Sequence, residues 1–339
     1  MGRFEGLLGG LAFLFAMALA AHPCFAQTDA EWQSVIAAAK KEGKVVLYNG
    51  IPPRIARSAA DLFEREYGIS VDIISARSSS LRERIRTEQA VGRNIGDVVA
   101  NGIGSATTLK TGGALQAHPA LPNVADLKPP FTGDGTLVPF RVGFYVMLIN
   151  TNLVKPQDEP KSWMDVLDPK WTGKILMDDP RASSQGYVFF EALLAKYGRS
   201  YHEKLAAMKP MIGREVAEDM KRVGRGEYAL YFPMQVADYL DLKGLPLKMI
   251  AGSEGSPYVE LVYSMQKGAP HPNAARLFLN FMLSREVQTM VADFGAFSVT
   301  GQTSSKTPPE VRSLPVQFLG TNDPDRQNEM LKLASEIYK

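Results

Sequence analysis

The chain has 339 residues, 22% of them charged and 45% hydrophobic, a composition that fits a soluble globular protein and excludes wholesale disorder. Lysine and arginine total 38 against 36 for aspartate and glutamate, so a formal net charge of +2 gives no general attraction for nucleic acid or an anionic membrane surface. The one cysteine, Cys24, lies in a leader-like segment, which removes disulfide scaffolds, zinc ribbons, iron–sulfur clusters and thiol catalysis from the rest of the chain.

Residues 1–26 read as a secretory signal peptide. Arg3 supplies a positive start, weakened by Glu5, and an apolar run follows over 7–21. Pro23 and the Cys24-Phe25-Ala26 segment then lead to Gln27. The apolar run falls short of the roughly 18–20 residues that a spanning helix needs. Cleavage near Ala26 leaves 313 residues. At roughly 150 residues per domain that is two domains, with core enough to need no disulfide staples. No later stretch is apolar enough to span a bilayer, so the expectation is an exported, soluble, periplasmic chain.

The elements then alternate. Trp32, Val35, Ile36 and Ala39 have helical spacing, with Lys40 and Lys41 at the C-terminal end and Gly43 as the stop. A strand over 44–48 and a loop over 49–53 come next, then a helix over 55–66 ended by Gly68, a strand over 71–74, a helix over 81–90 and a strand over 97–100. This order predicts an open, mainly parallel sheet, whose ligands bind beyond the carboxyl ends of the strands. The loops after Tyr48, Ile74 and Ala100 are thereby singled out. The grammar restarts with strands over 141–150 and 174–177 and a helix over 187–197. A strand over 228–232, a helix over 233–242, a strand over 259–265 and an amphipathic helix over 271–283 complete it.

The segment PKSWMDVLDPKWTGKI (160–175) resembles the P-x-S-W-x-D-L-x-D-P-x-W-K-G-K-I stretch of periplasmic solute-binding proteins of ABC importers, most of all the ferric-ion-binding subgroup. GAPHPNAARLF (268–278) and FMLSREVQ (281–288) are similar to the same family, and 43–48, 67–69 and 96–99 fall where it has its first strands. The resemblance covers the whole chain after the leader. It implies an α/β, two-lobed periplasmic-binding-protein fold of type II-like form, each lobe a mixed sheet flanked by helices, with a hinge between them. Lobe I would hold 27–140 and about 264–310, and lobe II 141–263 and about 311–339. It also implies a monomer without enzymatic activity or cofactor, whose partners are a small-molecule solute and an inner-membrane ABC permease, not nucleic acid. A periplasmic sensory receptor subunit would look the same.

Most of the shared motifs have structural roles. Ser162 and Asp165 form a capping box over Trp163 and Leu167, and Pro272 suits a first helical turn. The ligand candidates lie in the loops. In Ser75-Ala76-Arg77-Ser78-Ser79-Ser80, Ser80 and Glu83 read as a capping box, leaving Arg77, Ser78 and Ser79 at a helix N-terminus that suits an anion or stays a solvated turn. The loop 178–186 repeats the pattern: Ser183 or Ser184 is the N-cap, while Asp179, Arg181 and the other serine face a ligand. Two such loops across a cleft would enclose a carboxylate or phosphate. Tyr231 and Gln235 flank Pro233, the expected first residue of a helix. Asn49, Gly50 and Asn101 complete the first rim, and Arg141 is placed either at the cleft floor or in a hinge salt bridge.

The ferric relatives bind iron through adjacent tyrosines near the region of Tyr231, with a histidine or carboxylate. Here that segment reads Tyr231-Phe232-Pro233, without the pair, and His118, His202 and His271 are scattered. The reading is therefore an anionic solute, with ferric iron as the alternative and no metal ligands assigned. No Walker A loop, G-x-S-x-G elbow or H-E-x-x-H motif points to catalysis.

Overall fold

A computed structural model describes residues 29–51, 53–182, 184–315, 317–323 and 326–339. The leader and Ser183 lie outside the described residues. No helix among those described is long and apolar enough to cross a membrane.

The first lobe is built from α1 (Asp29–Glu42), β1 (Lys44–Asn49), α2 (Pro53–Tyr67), β2 (Ser70–Ser75), α3 (Ser78–Ala90), β3 (Val98–Gly102) and α4 (Ile103–Thr111). The chain leaves it along β4 (Leu137–Asn150) and forms β5 (Ile175–Asp178), α5 (Gln185–Tyr197), α6 (Arg199–Ala207), β6 (Met211–Gly213), α7 (Val216–Gly224), β7 (Leu230–Gln235) and β8 (Leu247–Ile250). It returns along β9 (Ser256–Met265) to α8 (Pro272–Phe281), α9 (Arg285–Asp293) and β10 (Phe297–Ser298), then ends in α10 (Pro309–Arg312), β11 (Phe318–Gly320) and α11 (Gln327–Ile337).

Strand order is β2-β1-β3-β9-β4-β7-β5-β6. β1 pairs parallel with β2 and β3, and β5 pairs parallel with β6 and β7; β9 and β4 join the halves by antiparallel pairing. β4 bonds to β9 from Leu137 to Phe144 and to β7 from Tyr145 onward, so the passage between lobes runs inside a strand. Leu261 to Met265 pair with β3, which carries Val262 and Tyr263 into the first-lobe sheet, beyond where the sequence placed the return.

Each lobe is a sheet covered on both faces. In lobe I, Phe63 of α2 meets Phe278 and Phe281 of α8 edge-on or tilted at 5.1 and 5.4 Å, while Leu81 and Ile85 of α3 cover the opposite face with Tyr48. In lobe II, Phe189 and Phe190 of α5 pack beside Trp163 and Phe232, and Met220 and Val223 of α7 cover the other side. The Ser162–Asp165 capping box forms as expected: Ser162 Oγ accepts from Asp165 N at 3.2 Å and Asp165 Oδ2 from Ser162 N at 3.0 Å. The helix it opens is one short 3₁₀ turn, Asp165–Leu167.

Two local expectations are corrected. Helix α3 begins at Ser78, not at the capping pair of Ser80 and Glu83, because Ser78 Oγ is drawn to the Gly50 carbonyl at 3.2 Å and Glu83 pairs with Arg86. Pro233 starts no helix. It lies within β7, where the register with β4 shifts between Val146 and Leu148, the irregular position that a strand proline tolerates. The following helix is a 3₁₀ segment, Val236–Leu242.

The C-terminus is tied down by His202, which is fully buried. Its Nε2 lies 2.9 Å from the Phe190 carbonyl and its Nδ1 2.8 Å from Tyr338 Oη. A carbonyl only accepts, so Nε2 carries the proton and Nδ1 accepts from the tyrosine. Burial lowers the His202 pKa from 6.5 to about 3. Between those values the unfolded chain binds the proton and the native one does not, so stability falls on acidification below about pH 6.5. Urea unfolding at pH 7, 6 and 5 is expected to show a His202 contribution approaching about 1.4 kcal/mol per pH unit. His202→Gln should flatten that slope; an identical slope would contradict the assignment.

Candidate functional site

The cleft between the lobes encloses about 680 Å³. Its first wall is made by the chain at and beyond the ends of β1, β2 and β3: Gly50 and Ile51, Arg77 to Ser79 with Arg82, and Gly102, Gly104 and Ser105. These are the carboxyl ends that the strand order singled out. Gly50 is required to be glycine, since a Cβ there would collide with Asn101 Oδ1 and Ser78 Oγ. α3 points its first turn at this space. Leu81 N is the first to bond back into the helix, on the Arg77 carbonyl, so the N–H groups of Ser78, Ser79 and Ser80 have no acceptor within the helix. Arg77 is exposed and makes no ion pair among the described residues. Arg82, one turn beyond Ser78 on the same helix face, donates from Nη1 to Ser105 Oγ at 2.8 Å.

The second wall comes from Ser184, Gln185, Tyr187 and Val188 at the start of α5, from Tyr145 and Gln235, and from Asn322 and Gln327. Tyr145 and Gln235 are direct partners across β4 and β7. Gly143 makes room for the glutamine, because a Cβ there would strike Gln235 Nε2. Gln185 Nε2 donates to Tyr231 Oη at 2.9 Å, and Ser184 caps α5 by accepting from Gly186 N at 3.2 Å. The lining includes two arginines and no aspartate or glutamate among the described residues.

Of the residues chosen from sequence, Gly50, Arg77, Ser78, Ser79, Ser184 and Gln235 line the cleft. Asn49 stands behind the wall, bracing the loop by donating to the Ile51 carbonyl at 2.8 Å. Asn101 is fully buried, with neither side-chain amide atom partnered. Tyr231 is buried behind Gln185. Arg141 is 1% exposed and has no ion pair among the described residues, so it is neither cleft wall nor salt bridge. Burial draws its pKa down to about 10, against the nearby Tyr263, Asp238 and Tyr145.

The expected matching arginine in the second lobe is the main correction. Arg181 donates from Nε to Asp179 Oδ1 at 2.7 Å and from Nη1 to the Tyr338 carbonyl at 3.0 Å, and is no part of the cleft wall. Asp179 is 1% exposed and also accepts from Arg214 Nε at 2.8 Å. Burial alone would raise its pKa, but the two arginines hold it below the ordinary carboxylate value. In the first turn of α5 the Gly186 N–H is satisfied internally, since Asp178 Oδ2 accepts from it at 2.7 Å. The protein's own carboxylate thus occupies the place expected for a ligand oxygen. Burial keeps the Asp178 pKa above the ordinary value.

Sequence reasoning missed Arg82, Ser105, Tyr145, Gln185, Tyr187, Asn322 and Gln327. Arg82 was legible as the i+4 neighbour of Ser78 on the candidate helix. The others depend on which strands and termini meet.

A family model described as bacterial extracellular solute-binding protein matches residues 100–325, two-thirds of the chain. The chain belongs to that family. A Haemophilus influenzae relative described only as an uncharacterized protein is 26% identical over 140 residues, and the match spans 40% of this chain and 40% of that one. Among solved structures, iron-bound HitA from Pseudomonas aeruginosa superimposes with a TM-score of 0.71 at 22% identity, covering 87% of this chain and 99% of that one. The ferric binding protein from Campylobacter jejuni gives 0.70 at 19% identity over 87% and 98%. AfuA from Actinobacillus pleuropneumoniae, with exogenous fructose-6-phosphate bound, gives 0.61 at 22% over 87% and 96%. These similarities establish the two-lobed binding-protein fold, and the solute-binding family is non-catalytic.

The ion-pair geometry predicts that Arg181→Ala lowers stability by about 1–3 kcal/mol, as for loss of a hydrogen bond to a charged group. Urea unfolding should record that loss, while cleft affinity stays within about twofold because no wall atom moves. Weakened solute binding with unchanged stability would contradict the assignment.

Proposed function

We infer that this solute-binding protein is the capture component of an ABC importer. It closes its lobes on a small solute bearing a phosphate or carboxylate group and delivers it to the inner-membrane permease. The family's extracellular character and the leader-like residues 1–26 support a periplasmic location. The observation that carries the anion reading is the cleft wall: two arginines, an unsatisfied helix N-terminus and hydroxyls, with no carboxylate among the described lining residues. A relative of the same fold holds a phosphorylated sugar. The lobes divide the work. Lobe I takes the charge, and the neutral donors of lobe II, Gln185, Gln235 and Tyr145, take the rest of the molecule. A ligand touching both walls binds the closed form better and so favours it.

Isothermal titration with glucose 6-phosphate, glycerol 3-phosphate, citrate and uncharged glucose tests this. At least one anion is expected to bind, with glucose far weaker. Arg77→Ala combined with Arg82→Ala should weaken the bound anion by about tenfold or more, since charge-assisted hydrogen bonds are lost. Undiminished affinity in the double variant, or equal binding of glucose, would sink the anion reading.

Ferric iron is the second reading. Several proteins of this fold are ferric or iron-bound, including one in complex with iron and citrate. Tyr145 and Tyr187 stand on the cleft wall, and an iron ion carried by a carboxylate chelator presents the anionic surface that Arg77 and Arg82 accept. Burial raises the pKa of both tyrosines, helped by the carboxylates of Asp238 at Tyr145 and Glu191 at Tyr187, so phenolate forms only if the metal displaces the proton. Ferric citrate should then give a tyrosinate-to-iron absorption band that Tyr145→Phe or Tyr187→Phe removes. A protein that binds citrate and stays colourless excludes iron as the cargo.

A further inference from the structure

A second cavity, of about 550 Å³, lies away from the cleft, where the hydrophobic cores of the two lobes meet. Its walls include three aromatic rings, those of Phe131, Phe297 and Phe318. Phe131 and Phe318 stand edge to face at 5.5 Å, and Phe297 packs with Phe144, itself 5.7 Å from Phe318. Phe297 and Phe318 each touch both cores. The hydroxyls on the wall are already engaged: Thr307 Oγ1 donates to the Ala292 carbonyl at 2.7 Å, Ser298 Oγ to Gln288 Oε1 at 2.7 Å, and Ser304 Oγ to Asp293. The other polar side chains on the wall are those of Gln302 and Thr303 and two cations. Lys128 and Arg312 line the cavity, both exposed, and neither side chain makes an ion pair among the described residues. No aspartate or glutamate belongs to the described lining.

We propose that this cavity is a binding site for a small aromatic monocarboxylate, its ring among Phe131, Phe297 and Phe318 and its carboxylate between Lys128 and Arg312. The volume falls within the range of pockets that take small organic ligands. The walls offer edges and faces for a ring but, apart from Gln302 and Thr303, no free side-chain hydrogen-bond groups for a sugar, so a polyol would recover only part of its lost hydration. Two unpaired cations at the rim of an apolar pocket favour a single anionic head over a neutral or cationic one.

Titration with phenylacetate, 2-phenylethanol and acetate, followed by protein-observed NMR or calorimetry, tests the site independently of the cleft. Phenylacetate is expected to saturate at one per chain, with the alcohol and acetate each at least tenfold weaker. Lys128→Glu with Arg312→Glu should weaken phenylacetate at least tenfold. Both residues are exposed, so an unchanged thermal midpoint will show that the variant is folded. Arg77→Ala with Arg82→Ala should leave phenylacetate binding unchanged. Absence of saturable binding, equal affinity for 2-phenylethanol, undiminished affinity in the Lys128/Arg312 variant, or loss in the Arg77/Arg82 variant would each overturn the proposal. The last outcome would place phenylacetate in the cleft.

Discussion

All fourteen residues of β4 are buried, and the strand is hydrogen-bonded to β9 in one lobe and to β7 and β8 in the other. A buried strand has to pair its backbone N–H and C=O groups along both edges, so β4 and β9 cannot separate without exposing or orphaning them. That constraint fixes the cleft floor. Tyr145, Val259 and Leu261 project from this ladder, and Gly143 opens the slot for Gln235. The register of β4 shifts within each pairing, between Pro139 and Arg141 against β9 and between Val146 and Leu148 against β7. Any relative motion of the lobes has to be absorbed at those irregular points and in the third connection after β10, because regular pairing resists bending.

On that floor the two walls differ in electrostatic character. Lobe I presents Arg77, Arg82 and the open first turn of α3. In lobe II the equivalent arginine is spent on Asp179, which also holds Arg214, and Asp178 takes up the Gly186 N–H at the start of α5. A net charge of +2 spread over the whole chain gives no long-range preference for anions. The preference comes from a few groups on one wall, where partial exclusion of water makes them count for more.

The fold was legible because the buried strands are short apolar runs bounded by glycine and loop residues, and because the 160–175 and 268–288 motifs are specific to the family. Two prolines hid strand ends. Pro139 made the crossing strand look shorter than it is, and Pro233 passed for a helix start; both sit at register shifts, which only the partner strand reveals. The serine-rich loop lies on the cleft, but three consecutive serines offer no local reason to choose among them as helix start. The Gly50 carbonyl, 28 residues away, makes the choice. Arg77 and Arg181 have the same local grammar, a strand end, an arginine and paired serines before a helix. Their fates diverge through Arg214 and Tyr338, distant partners that no window of sequence contains.

The division of the cleft into a charge-taking wall and a neutral wall can be read amide by amide. The backbone ¹⁵N–¹H resonances of Ser78, Ser79 and Ser80 should be followed while a tightly bound organic phosphate or carboxylate is titrated to saturation. The account expects those three N–H groups to move downfield as they donate to the anion, among the largest changes in the protein, with Gly186 and Arg181 little altered because Asp178 and Asp179 already accept from them. Large shifts at Gly186 and Arg181, with Ser78 to Ser80 unmoved, would contradict it.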